Sequence, residues 1–415
     1  MATIAPARPM AGHVRAVIAL LGLLIFINYV DRGNLATAGP LIKGELKLSN
    51  TDFGILVSAF FWTYVPAQLV AGWLAQRFCA YRVIAVGLAI WALATIATAF
   101  AQSFAVLLAL RLLLGIGESV AFPASSKLFA DHLPPELYGR GNGATAIGLS
   151  FGPAFGIFVG GLVMAASGWR LSFVLFGAVS LLWLVPWLML DRRAPRAHAV
   201  AGASQPLSAV LARPQAWAAA LGHFCTNYSF YFMLSWLPLY LVKTQGFTLA
   251  EMASLGGVIY LLQGVAAMIA GSLADRWMQT GWTANRARKT MLVTSNALVA
   301  LCMALIVLGD PRVAIGALAL AGIANGIGAS NVFATGQTIA GPEAAGTWIG
   351  FQNFLGNASG IIGPILTGWL VDHAGGYPAA FAVAGGFAVL GVIAWGVLIG
   401  RIERIDWRAA KPLLA

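Results

Sequence analysis

The 415-residue sequence predicts an all-α membrane protein with twelve transmembrane helices in two six-helix halves and both termini cytoplasmic. Composition is the first reason. The chain is 60% hydrophobic and 9% charged, with a mean hydropathy of +0.82, whereas a soluble domain carries about 25% charged residues. The second is a series of apolar runs near the ~20 residues that cross about 30 Å of hydrocarbon. The third is a weak repeat on either side of a basic linker.

In chain order the spans are expected at 15–38, 51–76, 82–101, 104–130, 139–166 and 170–190, then at 216–242, 249–277, 289–308, 311–340, 344–372 and 377–400. In the first span the wholly apolar run from Ala16 to Val30 rises only about 22 Å. That helix must therefore continue past Asp31 and Arg32, which places both charges inside the bilayer. The same N-terminus superficially matches a secretory signal, with Arg8 and Arg15, the apolar run, and Ala36, Thr37 and Ala38 as an A-x-A site. Cleavage there would remove one helix from a chain whose halves otherwise match, so it is read as a span.

The second span ends in "GWLAQR" (Gly72 to Arg77), and the eighth ends in "GSLADR" (Gly271 to Arg276), 199 residues later. Gly152 and Pro153 in the fifth span answer Gly363 and Pro364 in the eleventh. "GWRLSF" from Gly168 likewise answers "GYPAAF" from Gly376. Between the sixth and seventh spans lies a stretch with Pro195, Pro206 and Pro214 among Arg192, Arg193, Arg196 and Arg213. The organisation is thus an N-terminal half at 1–190, a linker at 191–215 and a C-terminal half at 216–415. A parallel repeat of six helices is the plan of a rocking transporter whose site lies between the halves.

The net charge of +11 does not point to nucleic acid, because the basic residues gather at alternate connections. Arg8, Arg15, Arg77, Arg82, Lys127 and Arg140 share one face with the linker arginines, with Arg276, Arg286, Arg288 and Lys289, and with Arg401, Arg404, Arg408 and Lys411. By the positive-inside rule that face is cytoplasmic. Lys43, Lys47, Arg170, Lys243 and Arg312 face out. Cys79, Cys225 and Cys302 are too scattered for a disulfide framework or a metal site, and the glycosylation patterns at Asn227 and Asn357 fall inside apolar spans.

With the spans and the repeat in place, "GWLAQRFCAYR" and "GSLADR" resemble the major facilitator superfamily, whose loop after helix 2 reads G-x-L-A-D-R-x-G-x-R. Gln76 and Cys79 depart from that pattern, whereas Asp275 and Arg276 keep it. "NYVDRGN", "RLLLGIGESVAFPA", "YFMLSWLPLYL" and "FQNFLGNASGIIGPILTG" further resemble its anion:cation symporter branch, which holds galactonate and hexuronate permeases and vesicular glutamate and sialic acid transporters. The resemblance covers nearly the whole chain. It implies a gating motif at Gly72, Arg77, Gly271, Asp275 and Arg276.

Independently of that resemblance, four ionisable residues fall within spans: Asp31, Arg32, Arg111 and Glu118. Arg111 and Glu118 are seven residues apart, on one helical face and roughly 10 Å from each other. Two acids and two bases sum to zero, so they are expected to face the bundle interior and compensate one another. A purely structural ion-pair network, or arginines snorkelling to the interface, are the alternatives. Functionally, a planar guanidinium suits a substrate carboxylate, and a carboxylic acid in a desolvated cavity holds a proton more readily than in water. Asp31 and Glu118 are thus candidate proton carriers, and Arg32 and Arg111 candidate anion grips. The resemblance implies the same roles at these positions.

Polar and aromatic residues nearby complete a candidate substrate site: Tyr29, Tyr64 and Gln68, Ser150, Tyr228, Tyr231 and Trp236, and Asn353 and Asn357. Each alone is equally well read as an interhelical bond or an interfacial anchor. The resemblance favours Tyr29, Tyr64 and Asn357. In galactonate-type permeases helix 5 presents a glutamine to the sugar acid, whereas here Ile147 to Gly161 offers only Ser150. His223 reads as a packing histidine.

The expected function is proton-coupled symport of a small organic anion, a sugar acid or another carboxylate, across a cell inner membrane. Sodium is not excluded, no cofactor is expected, and one chain supplies both halves of the site, so it is expected to work as a monomer. An anion exchanger, an exporter or a drug:proton antiporter would use the same fold, although two intramembrane arginines disfavour cationic drugs. A membrane anion sensor would need a larger cytoplasmic element than the linker. No phosphate-binding loop or hydrolase motif occurs, so neither ATP hydrolysis nor enzymatic activity is expected.

Overall fold

The computed structural model describes residues 12–132, 138–191 and 205–407. Its helices are α1 (Gly12–Leu46), α2 (Asn50–Arg77), α3 (Ala80–Thr98), α4 (Phe104–Glu118), α5 (Ala121–His132), α6 (Tyr138–Asp191), α7 (Leu207–Leu211), α8 (Pro214–Lys243), α9 (Leu249–Gln279), α10 (Ala284–Leu308), α11 (Pro311–His373) and α12 (Gly376–Ile393). A short π-helical turn, Ala394–Leu398, follows α12. Among the described residues there are no strands, and nine helical stretches are long and apolar enough to cross a membrane. Neither α2 nor α8 is among the nine; both interrupt their apolar runs with tyrosine, serine, tryptophan and amide side chains.

Two helices are longer than a bilayer needs and bend at glycine. In α6 Gly168 adopts φ 78°, ψ 164°, and in α11 Gly341 adopts φ 63°, ψ 177°. A side chain is costly in that region of φ/ψ space, so each glycine divides its helix into two arms. The fourth span, expected as one run, makes a short turn at Ser119 and Val120 between α4 and α5, and the two together form one stretch long and apolar enough to cross a membrane, Phe104–Phe129. Of the basic residues assigned to the cytoplasmic face, Arg8, Arg192, Arg193, Arg196, Arg408 and Lys411 lie outside the described residues.

The internal repeat extends to the helix caps. Ser49 opens α2 with a capping box completed by Asp52, and Thr248 opens α9 with one completed by Glu251, again 199 residues on. In each, the hydroxyl accepts from the N3 backbone amide while the acid accepts from the cap amide, which satisfies donors a helix end otherwise leaves open.

The halves meet along three seams: α2 on α11, α6 on α9 and α1 on α8. At the end carrying Asn50 they are closely joined. Asp372 at the end of α11 accepts hydrogen bonds from the Asn50 and Thr51 backbone amides and from the Asn50 amide and Thr51 hydroxyl, at 2.7 to 3.3 Å. Ser58 donates to the Ile361 carbonyl at 2.7 Å. Glycines allow the backbones to touch here: a Cβ on Gly54 would collide with the Pro364 carbonyl oxygen, and one on Gly368 with that of Asn50. At the opposite end Gly72 on α2, and Gly346 and Gly350 on α11, have nothing within 4 Å of where a Cβ would stand. Val70 and Trp73 there are more than half exposed. The seam between α2 and α11 is therefore shut at the Asn50 end and parted at the Arg77 end.

Candidate functional site

Between the halves lies a small cavity. Helices α1, α2 and α4 supply its N-terminal wall, and α8 supplies the C-terminal wall through Tyr231, Leu234 and Ser235. Arg32 and Arg111 both line it. The guanidinium of Arg32 lies between two aromatic rings, with Cζ 4.5 Å from the centroid of Tyr29 and 4.5 Å from that of Tyr64. Its Nε donates to Glu118 Oε2 at 3.3 Å, in a pair with almost no exposed surface. Cation–π contact and the carboxylate together hold the charge where water is scarce.

Arg111 is placed differently. Its Nε donates to the Leu56 carbonyl at 3.3 Å, and no carboxylate among the described residues pairs with it. Phe60 bridges the two arginines, its ring centroid 5.2 Å from each Cζ. Around the pair, Arg32 Nη2, Glu118 Oε1 and both polar atoms of Asn28 are buried without a hydrogen-bond partner.

Asp31 turns away from this cavity. Neighbouring residues on a helix point about 100° apart. While Arg32 faces the space between the halves, Asp31 faces into the N-terminal half, where Asn34 Nδ2 donates to it at 3.1 Å and Ser180 Oγ at 3.5 Å. Glu118, not Asp31, is the acid that holds an arginine.

Of the remaining sequence candidates, Tyr231 and Asn357 belong together: the tyrosine hydroxyl donates to Asn357 Oδ1 at 2.7 Å, and its ring packs on Phe61. Trp236 packs edge-on against Phe53 across the seam, above the cavity toward the Asn50 end. Tyr228 stacks on Phe387 within the C-terminal half. Gln68 and Asn353 are half-buried and line no part of the cavity. Ser150 packs toward Gly264 at the seam of α6 with α9. His223 Nδ1 pairs with the Gln352 carbonyl oxygen, as a packing histidine does. Of the residues expected to form a gating motif, Gly72 stands in open space, Arg77, Asp275 and Arg276 are exposed, and Gly271 faces Ser330.

Sequence reasoning missed Asn28, Phe60, Asn34 and Ser180. A signal existed for two of them: Asn28 is one turn before Arg32, and Phe60 one turn before Tyr64, on the same helix faces. Nothing in the sequence ties Ser180 to Asp31.

The profile of the Major Facilitator Superfamily matches residues 21–364 and, in an overlapping second match, 278–412. The hexuronate transporter of Bacillus subtilis (strain 168) is 30% identical over 91% of this chain and 93% of its own length. The probable sulfoacetate transporter of Cupriavidus necator is 29% identical over 91% of this chain and 92% of its own. Among solved structures, the bacterial homolog of the human lysosomal transporter Spinster, in its inward-facing and occupied conformation, superposes with a TM-score of 0.77 at 19% identity. It covers 94% of this chain and 96% of the homolog.

Proposed function

Because the chain belongs to the Major Facilitator Superfamily, we propose that it is a secondary active transporter that carries a small organic anion together with protons by alternating access. That its relatives are transporters of organic anions, not enzymes, supports the class. The observation that carries the mechanism is the buried Arg32–Glu118 pair beside an Arg111 without a carboxylate partner. With Glu118 ionised, one guanidinium is occupied and one is open. Protonation of Glu118 releases Arg32, and both guanidiniums then face the substrate. Loaded with anion and proton, the site carries little net charge when it crosses between access states. Asp31, held by Asn34 and Ser180 in the N-terminal half, is the second proton carrier. Tyr29 and Tyr64 set the angle of Arg32, and Tyr231, oriented by its bond to Asn357, stands on the facing wall. Sodium in place of protons is the alternative coupling ion.

In this reading the polypeptide crosses an inner membrane twelve times. The nine apolar stretches become ten once Gly168 divides α6, and α2 and α8 add the remaining two. The composition of α2 and α8 suits helices that line the central cavity. The charge pattern puts the Arg77 end and both termini in the cytoplasm, so the parted seam opens inward. Residues 1–190 and 216–415 are the rocking halves of one functional chain, joined by 191–215, and the motif at Gly72, Arg77, Gly271, Asp275 and Arg276 gates the cytoplasmic side.

The test is uptake of labelled organic anions into proteoliposomes under an imposed inward proton gradient, with Glu118→Gln beside the unmodified protein. Accumulation by the unmodified protein, with the variant exchanging substrate but not accumulating it, is the expected result. Accumulation that persists in the variant removes Glu118 from the coupling step.

A further inference from the structure

Resting on the anion site of the preceding reading, we propose that the substrate is a short, hydroxyl-poor dianion: two anionic groups, carboxylate or sulfonate, on a chain of two to four carbons. The inference comes from what the cavity does and does not offer. Two guanidiniums, Arg32 and Arg111, line one small space, each with its Cζ 5.2 Å from the centroid of the Phe60 ring. Two fixed cations in a low-dielectric site are matched by two anionic groups on one ligand. With Glu118 protonated and Asp31 turned into the N-terminal half, a single carboxylate pairs directly with only one of the two guanidiniums.

The rest of the wall is apolar: Leu35, Ala36, Val57, Phe60, Phe61 and Leu234. Only Tyr231 and Ser235 add hydroxyls, and the Tyr231 hydroxyl already donates its proton to Asn357. Ser150, the polar residue that the fifth expected span has available, packs at the seam of α6 with α9 and lines no part of the cavity. A sugar acid brings four or five hydroxyls that must leave water. Against this wall most of them find no partner, and each such group costs roughly tenfold in affinity. A two- to four-carbon backbone brings methylene groups that the leucine and phenylalanine side chains accept readily.

The experiment separates charge from hydroxylation on the full-length protein in detergent, reading the shift in thermal unfolding against ligand concentration. Five probes are used: succinate, sulfoacetate, butyrate (one charge, no hydroxyls), gluconate (one charge, many hydroxyls) and glucarate (two charges, many hydroxyls). The expected result is a shift with succinate or sulfoacetate at concentrations at least about tenfold below those needed for any other probe, and loss of that shift in Arg111→Gln. The first two probes tell a dicarboxylate from a sulfonate source. Glucarate or gluconate acting at equal or lower concentration overturns the hydroxyl-poor assignment while leaving the anion site intact. Butyrate acting as well as succinate overturns the second charge. No shift with any of the five overturns both this inference and the anion reading on which it rests. Leu35→Gln adds a polar partner to the wall and should narrow the gap between succinate and glucarate; an unchanged gap contradicts the assignment.

Discussion

At the scale of single residues, the account turns on how differently four buried charges are held. Arg32 is fixed on three sides, by Glu118, Tyr29 and Tyr64, and Arg111 by one backbone carbonyl. Arg111 therefore offers the open fork to an incoming anion. Arg111→Gln should lower apparent substrate affinity by roughly ten- to hundredfold, the range for a charge-assisted hydrogen bond, with helical content unchanged by circular dichroism. Tyr231→Phe removes one buried neutral bond to Asn357, so its effect on stability should be near 1 kcal/mol, read as a small fall in melting temperature. The sequence made the four charges and the common face of Arg111 and Glu118 legible, because a spacing of seven on a helix fixes direction. It did not disclose that Asp31 and Arg32 serve different surroundings. That depends on which neighbour lies at each 100° step around α1, and Ser180 is 149 residues away in the chain.

At the scale of helices, the seam of α2 with α11 carries the clearest mechanical consequence. Asp372 takes four hydrogen bonds from the first two residues of α2, a carboxylate at a helix N-terminus, where the open amides and the helix dipole favour negative charge. Asp372 and these two residues lie on opposite sides of the seam, so the contact exists only while the Asn50 end is shut. Asp372→Asn should raise the population open at that end by roughly tenfold, since hydrogen bonds to a charged group outweigh those to a neutral one. Spin-label distances between positions near residues 47 and 375 would record it. Gly54→Val is a sharper version: the added side chain meets the Pro364 carbonyl, so α2 and α11 cannot close there. Labelling of a cysteine on the cavity side of α1 from the Asn50 side should rise with it. Helix positions were readable from apolar runs, and the matched capping boxes follow the same offset as the motifs. The Asp372 contact was not readable, because Asn50, Thr51 and Asp372 are unremarkable residues at helix ends until the fold brings them together.

At the scale of the whole molecule, the helices before and after the linker are joined at the Asn50 end and parted at the Arg77 end, with the arginine-lined cavity between them. The fold and family were the most legible level, because bilayer thickness, charge placement and an internal repeat act over hundreds of residues and tolerate local irregularity. The turn at Ser119 and Val120 and the long bent helices α6 and α11 are such irregularities. Coupling is the property that joins the scales, and it is the central claim. The most direct measurement is the pH of a weakly buffered proteoliposome suspension when a transported anion is added with no gradient imposed. Proton symport predicts external alkalinisation that follows anion uptake and is absent in Glu118→Gln. Anion uptake with no proton movement, or uptake that depends on sodium instead, would contradict the account.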